Sequence, residues 1–146
     1  MKSLVDVSKY VGVPYKHNGR SIQEGLDCWG LVMCVFAELG VTLPGNDGIN
    51  IPPEHWFRKD ADRYWRFLQT IGKPLDISEV KRYDIVYFAM IGNSIVSHAG
   101  VMLDDKMFIH TLQKRNCFIS KLDRYWLKKI RGARRLPEVA HLQPDC

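Results

Sequence analysis

The pattern of apolar and polar positions changes character about half-way along the chain. In the first half it favours helices. Residues 3–11 (SLVDVSKYV) read as a short helix ending at Gly12, residues 14–19 as a loop, and residues 28–39 (CWGLVMCVFAEL) as an apolar helix stopped by Gly40 and later Pro44. The Gly- and Pro-rich stretch 43–53 reads as a connection. A third helix is predicted over 54–71, where Trp56, Phe57, Tyr64, Trp65 and Leu68 recur at helical spacing and read as core. In the second half the segments 84–90, 97–103, 106–112 and 116–122 are short, β-rich and separated by turn residues, which predicts an antiparallel meander. A last short helix over 125–130 precedes a tail containing Pro137 and Pro144. Helices first and strands second predict an α+β fold, with one domain over residues 1–136 and a tail over 137–146.

Two local patterns make geometric predictions. At about 100° per residue, Cys28, Leu31, Val32, Val35, Phe36 and Leu39 fall in one apolar sector, so Cys28 points from the helix tip towards the sheet. Cys34 lies to the side of that sector and reads as a structural thiol. In the strands, a three-residue loop at 104–106 would set Leu103 opposite Met107 and Gly100 opposite His110. His98 and His110 then share a sheet face as diagonal neighbours. A two-residue turn would put them on opposite faces, because a one-residue slip reverses every side chain.

Composition narrows the class. The 146 residues are 46% hydrophobic and 25% charged, enough for a real core and too varied for disorder. No run approaches the roughly 20 apolar residues of a membrane span. After Met1-Lys2 the apolar start is broken by Asp6, Ser8 and Lys9, so no secretory signal is expected. The expectation is a protein made in the cytoplasm and delivered by something else if it works outside. Of the net charge of +5, residues 121–135 carry +6, with seven basic residues against Asp123 alone. A solvated basic face is the reading preferred over a nucleic-acid site. The four cysteines, Cys28, Cys34, Cys117 and Cys146, form no CxxC pair, and no metal site or cofactor is expected.

Candidate chemistry centres on Cys28. Asp27 is a good N-cap, which places Cys28 at the positive end of a helix dipole and favours its thiolate. His17, His55 and His141 read as surface residues. His98 and His110 sit in apolar strands, where a polar ring needs a partner. In the predicted hairpin His98 takes the thiol proton and His110 fixes its tautomer. Amides at the start of the Cys28 helix, with the Tyr15 hydroxyl, would form an oxyanion hole, and Gly100 would leave room for substrate.

Taken in order, these motifs resemble the NlpC-type cell-wall peptidases, papain-like cysteine hydrolases. Val13-Pro14-Tyr15 resembles the family's tyrosine loop, and Leu26-Asp27-Cys28-Trp29-Gly30-Leu31-Val32 its nucleophile motif. Asp84-Ile85-Val86-Tyr87-Phe88 resembles the strand before the base, Ser97-His98-Ala99-Gly100-Val101 the base motif, and Phe108-Ile109-His110 the third-residue strand. Tyr83 stands where the family usually has Gly, and residues 54–71 resemble an insertion. The resemblance implies a papain-like core and cleavage between D-glutamate and the diamino acid of peptidoglycan stem peptides. It makes Cys28 the nucleophile, His98 the base, His110 the orienter and Tyr15 an oxyanion contact, with Asp27, Trp29, Ser97 and Gly100 around the substrate. Asp27-Cys28-Trp29-Gly30, and Arg124-Tyr125-Trp126 before Arg131-Gly132, resemble the branch found in phage tail proteins, which implies a virion component acting at the bacterial wall. Two other readings stay open: a thiol amidase or acyltransferase on another substrate, and a tail or scaffold module with a vestigial site.

Overall fold

A computed structural model describes residues 4–48 and 52–143; the expectations for Pro144 and Cys146 lie outside these. The start of the chain is a 3-10 turn at Val7–Tyr10, shorter than the helix predicted over 3–11. Two short strands, β1 (Arg20–Ser21) and β2 (Gly25–Leu26), pair with each other. Helix α1 (Cys28–Glu38) follows as predicted, its start fixed by the Asp27 carboxylate, which accepts the Gly30 N–H at 2.7 Å.

The helix predicted over 54–71 is two pieces, a 3-10 turn at Trp56–Arg58 and helix α2 (Arg63–Leu68). The break falls at Asp60-Ala61-Asp62, where aspartates compete with helical hydrogen bonding. Then come β3 (Lys73–Leu75), β4 (Ile85–Ile91), β5 (Ile95–Met102), β6 (Met107–Thr111) and β7 (Cys117–Lys121). Helix α3 (Arg124–Lys129) is capped by Asp123 and leads straight into β8 (Ile130–Arg135).

The six-stranded sheet has the order β3-β8-β4-β5-β6-β7, and its β4–β7 portion is the expected antiparallel meander. Strand β8 was not expected: it inserts between β3 and β4, so part of the basic stretch is sheet and not a solvated face. Arg134 is buried and donates to the carbonyls of Gln69, Ile71 and Gly72, while Arg135 pairs with the fully buried Asp84. The expected tail is packed over residues 137–143: Val139 is wholly buried and Gln143 donates to Arg82 and Asp84.

Each sheet face carries its own apolar cluster. On one, α1 residues Leu31, Val32, Val35 and Phe36 join Ala99, Val101 and Ile109. On the other, Trp126 of α3 covers Val86, Phe88, Met102 and Phe108.

Candidate active site

Strand β5 alternates its side chains between these clusters, and the alternation positions the candidate base. Pairing of Val101 with Ile109 and Met102 with Phe108, and the Leu103 N–H to Met107 carbonyl bond, set the three-residue loop 104–106. His98 and His110 accordingly share a face, and His98 Nε2 lies 2.8 Å from His110 Nδ1. His110 Nε2 is in turn 2.8 Å from the Ser120 hydroxyl on β7. Ser120 was not anticipated; strand alternation in β7 places it on the histidine face. Phe88, Phe108, Phe118 and Trp126 surround the two rings, with the His110 centroid 4.3 Å from both Phe108 and Phe118.

That face is the α3 face, whereas α1 packs on the other. The sulfur therefore does not meet the imidazoles across a shared face. It reaches the strand from the side. The Met102 N–H donates to the Asp84 carbonyl just before β4, whereas the Leu103 N–H donates towards β6, so alternation turns the Ala99 N–H to the β6 side. The β5–β6 ladder stops short of Ala99, and the Ala99 amide turned to that side favours the Cys28 thiolate. Cys28 thus occupies the mouth where the two strands part, beside the residue that follows His98 in the chain. The register of β4 against β5 slips between Phe88–His98 and Ala89–Val96, leaving Ser97 as a bulge at the same mouth.

The side-chain partner of the sulfur among the described residues is the Tyr64 hydroxyl of α2, at 3.5 Å. Tyr64 and Trp56 were expected in the core; Tyr64 packs against it, and both line an open cleft of about 110 Å³ with Cys28, Tyr15, Ser97, Arg20 and Arg63. The Asp60–Asp62 break was the available sign that this segment folds over a site instead of continuing as a core helix. Tyr15 is held in the cleft by a bridge to Leu26, flanked by hydrogen bonds from the Leu26 N–H to Pro14 and from the Lys16 N–H to Leu26. Burial, then the neighbouring Cys28, pushes its hydroxyl up to about 12, so it remains a donor.

Three residues expected around the substrate have structural occupations, although Asp27 and Trp29 also line the cleft. Asp27 accepts from Gly30, Asn18 and Arg20, so its carboxylate is engaged as a cap. Trp29 is buried, and its ring N–H donates to the Pro44 carbonyl. The space beside Gly100 is filled: an added Cβ would meet the Ile109 carbonyl oxygen at 2.9 Å and Phe108 at 3.0 Å. Its missing side chain serves strand packing and not substrate access.

Electrostatically, burial favours the uncharged forms of Cys28 and of both imidazoles. Burial pushes the Cys28 thiol up to about 11, and the Asp27 charge adds to it, while Tyr64, the Ala99 N–H and Arg20 act in the opposite sense. The lowered thiol expected from the helix end is not found, because desolvation outweighs a dipole worth roughly 0.3–1 kcal/mol. Burial pulls His98 down to about 3; burial, then His98 and Arg115, pulls His110 down to about 2.

A cysteine at a helix N-terminus, set against a strand whose histidine is hydrogen-bonded to a third polar residue on an α+β scaffold, is the arrangement of papain-like cysteine hydrolases. The model of the NlpC/P60 family matches residues 12–135, and the chain belongs to that family. It is 33% identical over 136 residues to a gamma-DL-glutamyl hydrolase of Bacillus subtilis (strain 168), covering 92% of this chain and 29% of that protein. It is 29% identical over 129 residues to the murein DD-endopeptidase MepH of Escherichia coli (strain K12), covering 86% of this chain and 42% of that one. The chain thus spans less than half the length of these two relatives. The fold is similar to that of an NlpC/P60 family protein from Bacillus cereus ATCC 10987, with a TM-score of 0.63, 24% identity, and coverage of 86% of this chain and 36% of that one. It is also similar to the NlpC/p60 domain of the peptidoglycan hydrolase SagA, with a TM-score of 0.58, 20% identity, and coverage of 88% and 91%.

Proposed function

We propose that this protein is a cysteine peptidase that hydrolyses the amide between D-glutamate and the diamino acid in peptidoglycan stem peptides. The observation that carries the reading is Cys28 at the α1 tip, held at the open end of the strand that presents the His98–His110 pair. In this reading His98 Nε2–H donates to His110 Nδ1, and His110 Nε2–H donates to Ser120. His98 Nδ1 is then left unprotonated to take the thiol proton. The sulfur attacks the amide carbon. The developing oxyanion meets the Cys28 amide, since the Gly30 and Leu31 amides are committed to Asp27, and the Tyr15 hydroxyl assists. His98 returns the proton to the leaving amine, and water hydrolyses the thioester.

Residues 1–136 form the hydrolase unit together with the packed segment 137–143, and its site of action is the bacterial wall. A phage tail or another delivery assembly brings it there as a virion component. Among the described residues no helix is long and apolar enough to cross a membrane. The test is mass spectrometry of purified muropeptides after digestion. Products cut at the D-glutamyl bond are expected from the reduced protein, and Cys28→Ala should lower the rate by about three orders of magnitude or more. Intact stem peptides after prolonged incubation would overturn the assignment.

A further inference from the structure

We propose that Tyr64 is a catalytic residue of this site, its hydroxyl donating to Cys28 Sγ and stabilising the thiolate as the proton passes to His98. This rests on the Cys–His reading above and adds a second hydroxyl to it, from a segment that belongs to none of the motifs.

The geometry is built. Tyr64 lies on α2, and its ring stacks on Phe67 with centroids 6.3 Å apart and planes 11° from parallel. Trp29 and Trp56 meet it edge-on at 6.4 and 6.3 Å. A ring clamped by three aromatics loses little further freedom when its hydroxyl bonds to sulfur. Helix α2 is itself fixed from behind by Arg134, which holds the carbonyls of Gln69, Ile71 and Gly72 at its end.

The chemistry is one-directional. Burial and the nearby thiol hold the Tyr64 hydroxyl well above its ordinary range, so it keeps its proton while Cys28 loses one. The groups facing the sulfur are Asp27 beside it, Arg20 of β1, Tyr15 of the preceding loop, Tyr64 of α2 and the Ala99 N–H of β5. Asp27 opposes thiolate formation. Arg20 is tied to Asp27 at 2.7 Å, so little of its charge is left for the sulfur. Neutral donors must therefore carry much of the stabilisation, and Tyr64 is the side chain within hydrogen-bond reach. A hydrogen bond to an ionised acceptor is about twice as strong as one between neutral groups. No bond is made or broken at Tyr64, and the thiol proton goes to His98.

The experiment is the pH dependence of Cys28 alkylation by iodoacetamide, with Cys34 and Cys117 followed by peptide mass spectrometry as internal references. Tyr64→Phe keeps the ring and deletes the donor. Its midpoint is expected to rise by about one pH unit, with an alkylation rate at fixed pH about tenfold lower. Trp65→Leu alters an exposed aromatic of the same helix that does not line the cleft and should leave the midpoint in place. An unmoved midpoint in Tyr64→Phe, or an equal shift in Trp65→Leu, overturns the proposal. His98→Ala separates this from the broader reading: if it leaves Cys28 alkylation unchanged, the Cys–His pairing itself is wrong, whatever Tyr64 does.

Discussion

An added Cβ on Gly30 would lie 2.0 Å from the Gly19 carbonyl oxygen, which is backbone and cannot swing aside. The first turn of α1 is thus seated directly on Gly19, between Asn18 and the first residue of β1, Arg20, and both of those neighbours bind the Asp27 carboxylate. Gly30→Ala is expected to destabilise the protein by about 2–4 kcal/mol and to displace Cys28, lowering turnover as well. Urea denaturation followed by fluorescence checks the first effect, and muropeptide turnover the second. A variant of unchanged stability would mean that the helix start shifts at no cost. Tyr83 shows the reverse case. It has φ +71°, a left-handed conformation that explains the glycine usual there in the family. The strain is offset because the ring is buried and its hydroxyl accepts the Val5 N–H at 3.0 Å. Both residues stood out in the sequence. Their physical reasons did not, because close backbone approach between segments leaves no trace in local pattern.

Among the elements, the β5–β6 hairpin was legible because alternation and loop length together fix which side chains share a face. Helix α1 was legible from its cap and its apolar sector. Residues 54–71 misled because aromatics at helical spacing look the same whether they fill a core or wall a cleft. Strand β8 was hidden because the buried Arg134 looks like surface charge until the carbonyls it satisfies are known. Arg134 joins the two misread elements, since it grips the end of α2 from β8. Arg134→Met removes the donors to three carbonyls while roughly keeping the aliphatic stem. The expected cost is about 2–4 kcal/mol, and amide exchange should rise in α2 more than in α1. Equal exchange in both helices would show that α2 is held by its aromatic face alone.

At the scale of the whole molecule, the sheet divides two tasks. One face holds the helix that carries the nucleophile, and the other buries the imidazole pair beneath Trp126, so a working site requires the sheet to be intact between them. Burying two neutral histidines also ties stability to pH. His98 and His110 are depressed in the folded state to about 3 and about 2, far below the roughly 6.5 of an unfolded chain. The unfolded chain therefore binds more protons below about pH 6.5, and acid favours unfolding. The stabilisation is fully present above that value and is lost as pH falls through the window between it and the folded values. Each imidazole contributes at most about 1.4 kcal/mol per pH unit within the window, so the pair predicts a loss of about 2–3 kcal/mol between pH 7 and 5.5. That interval lies above the ordinary titration of carboxylates, which keeps their contribution small. Denaturant midpoints measured across it should fall for the natural chain. The fall should be about half as large in His110→Asn, which keeps a polar partner for His98 but removes one titrating group. If the natural chain and the variant show the same slope, the acid sensitivity arises elsewhere, and the imidazole pair is more open to water than its aromatic surround implies.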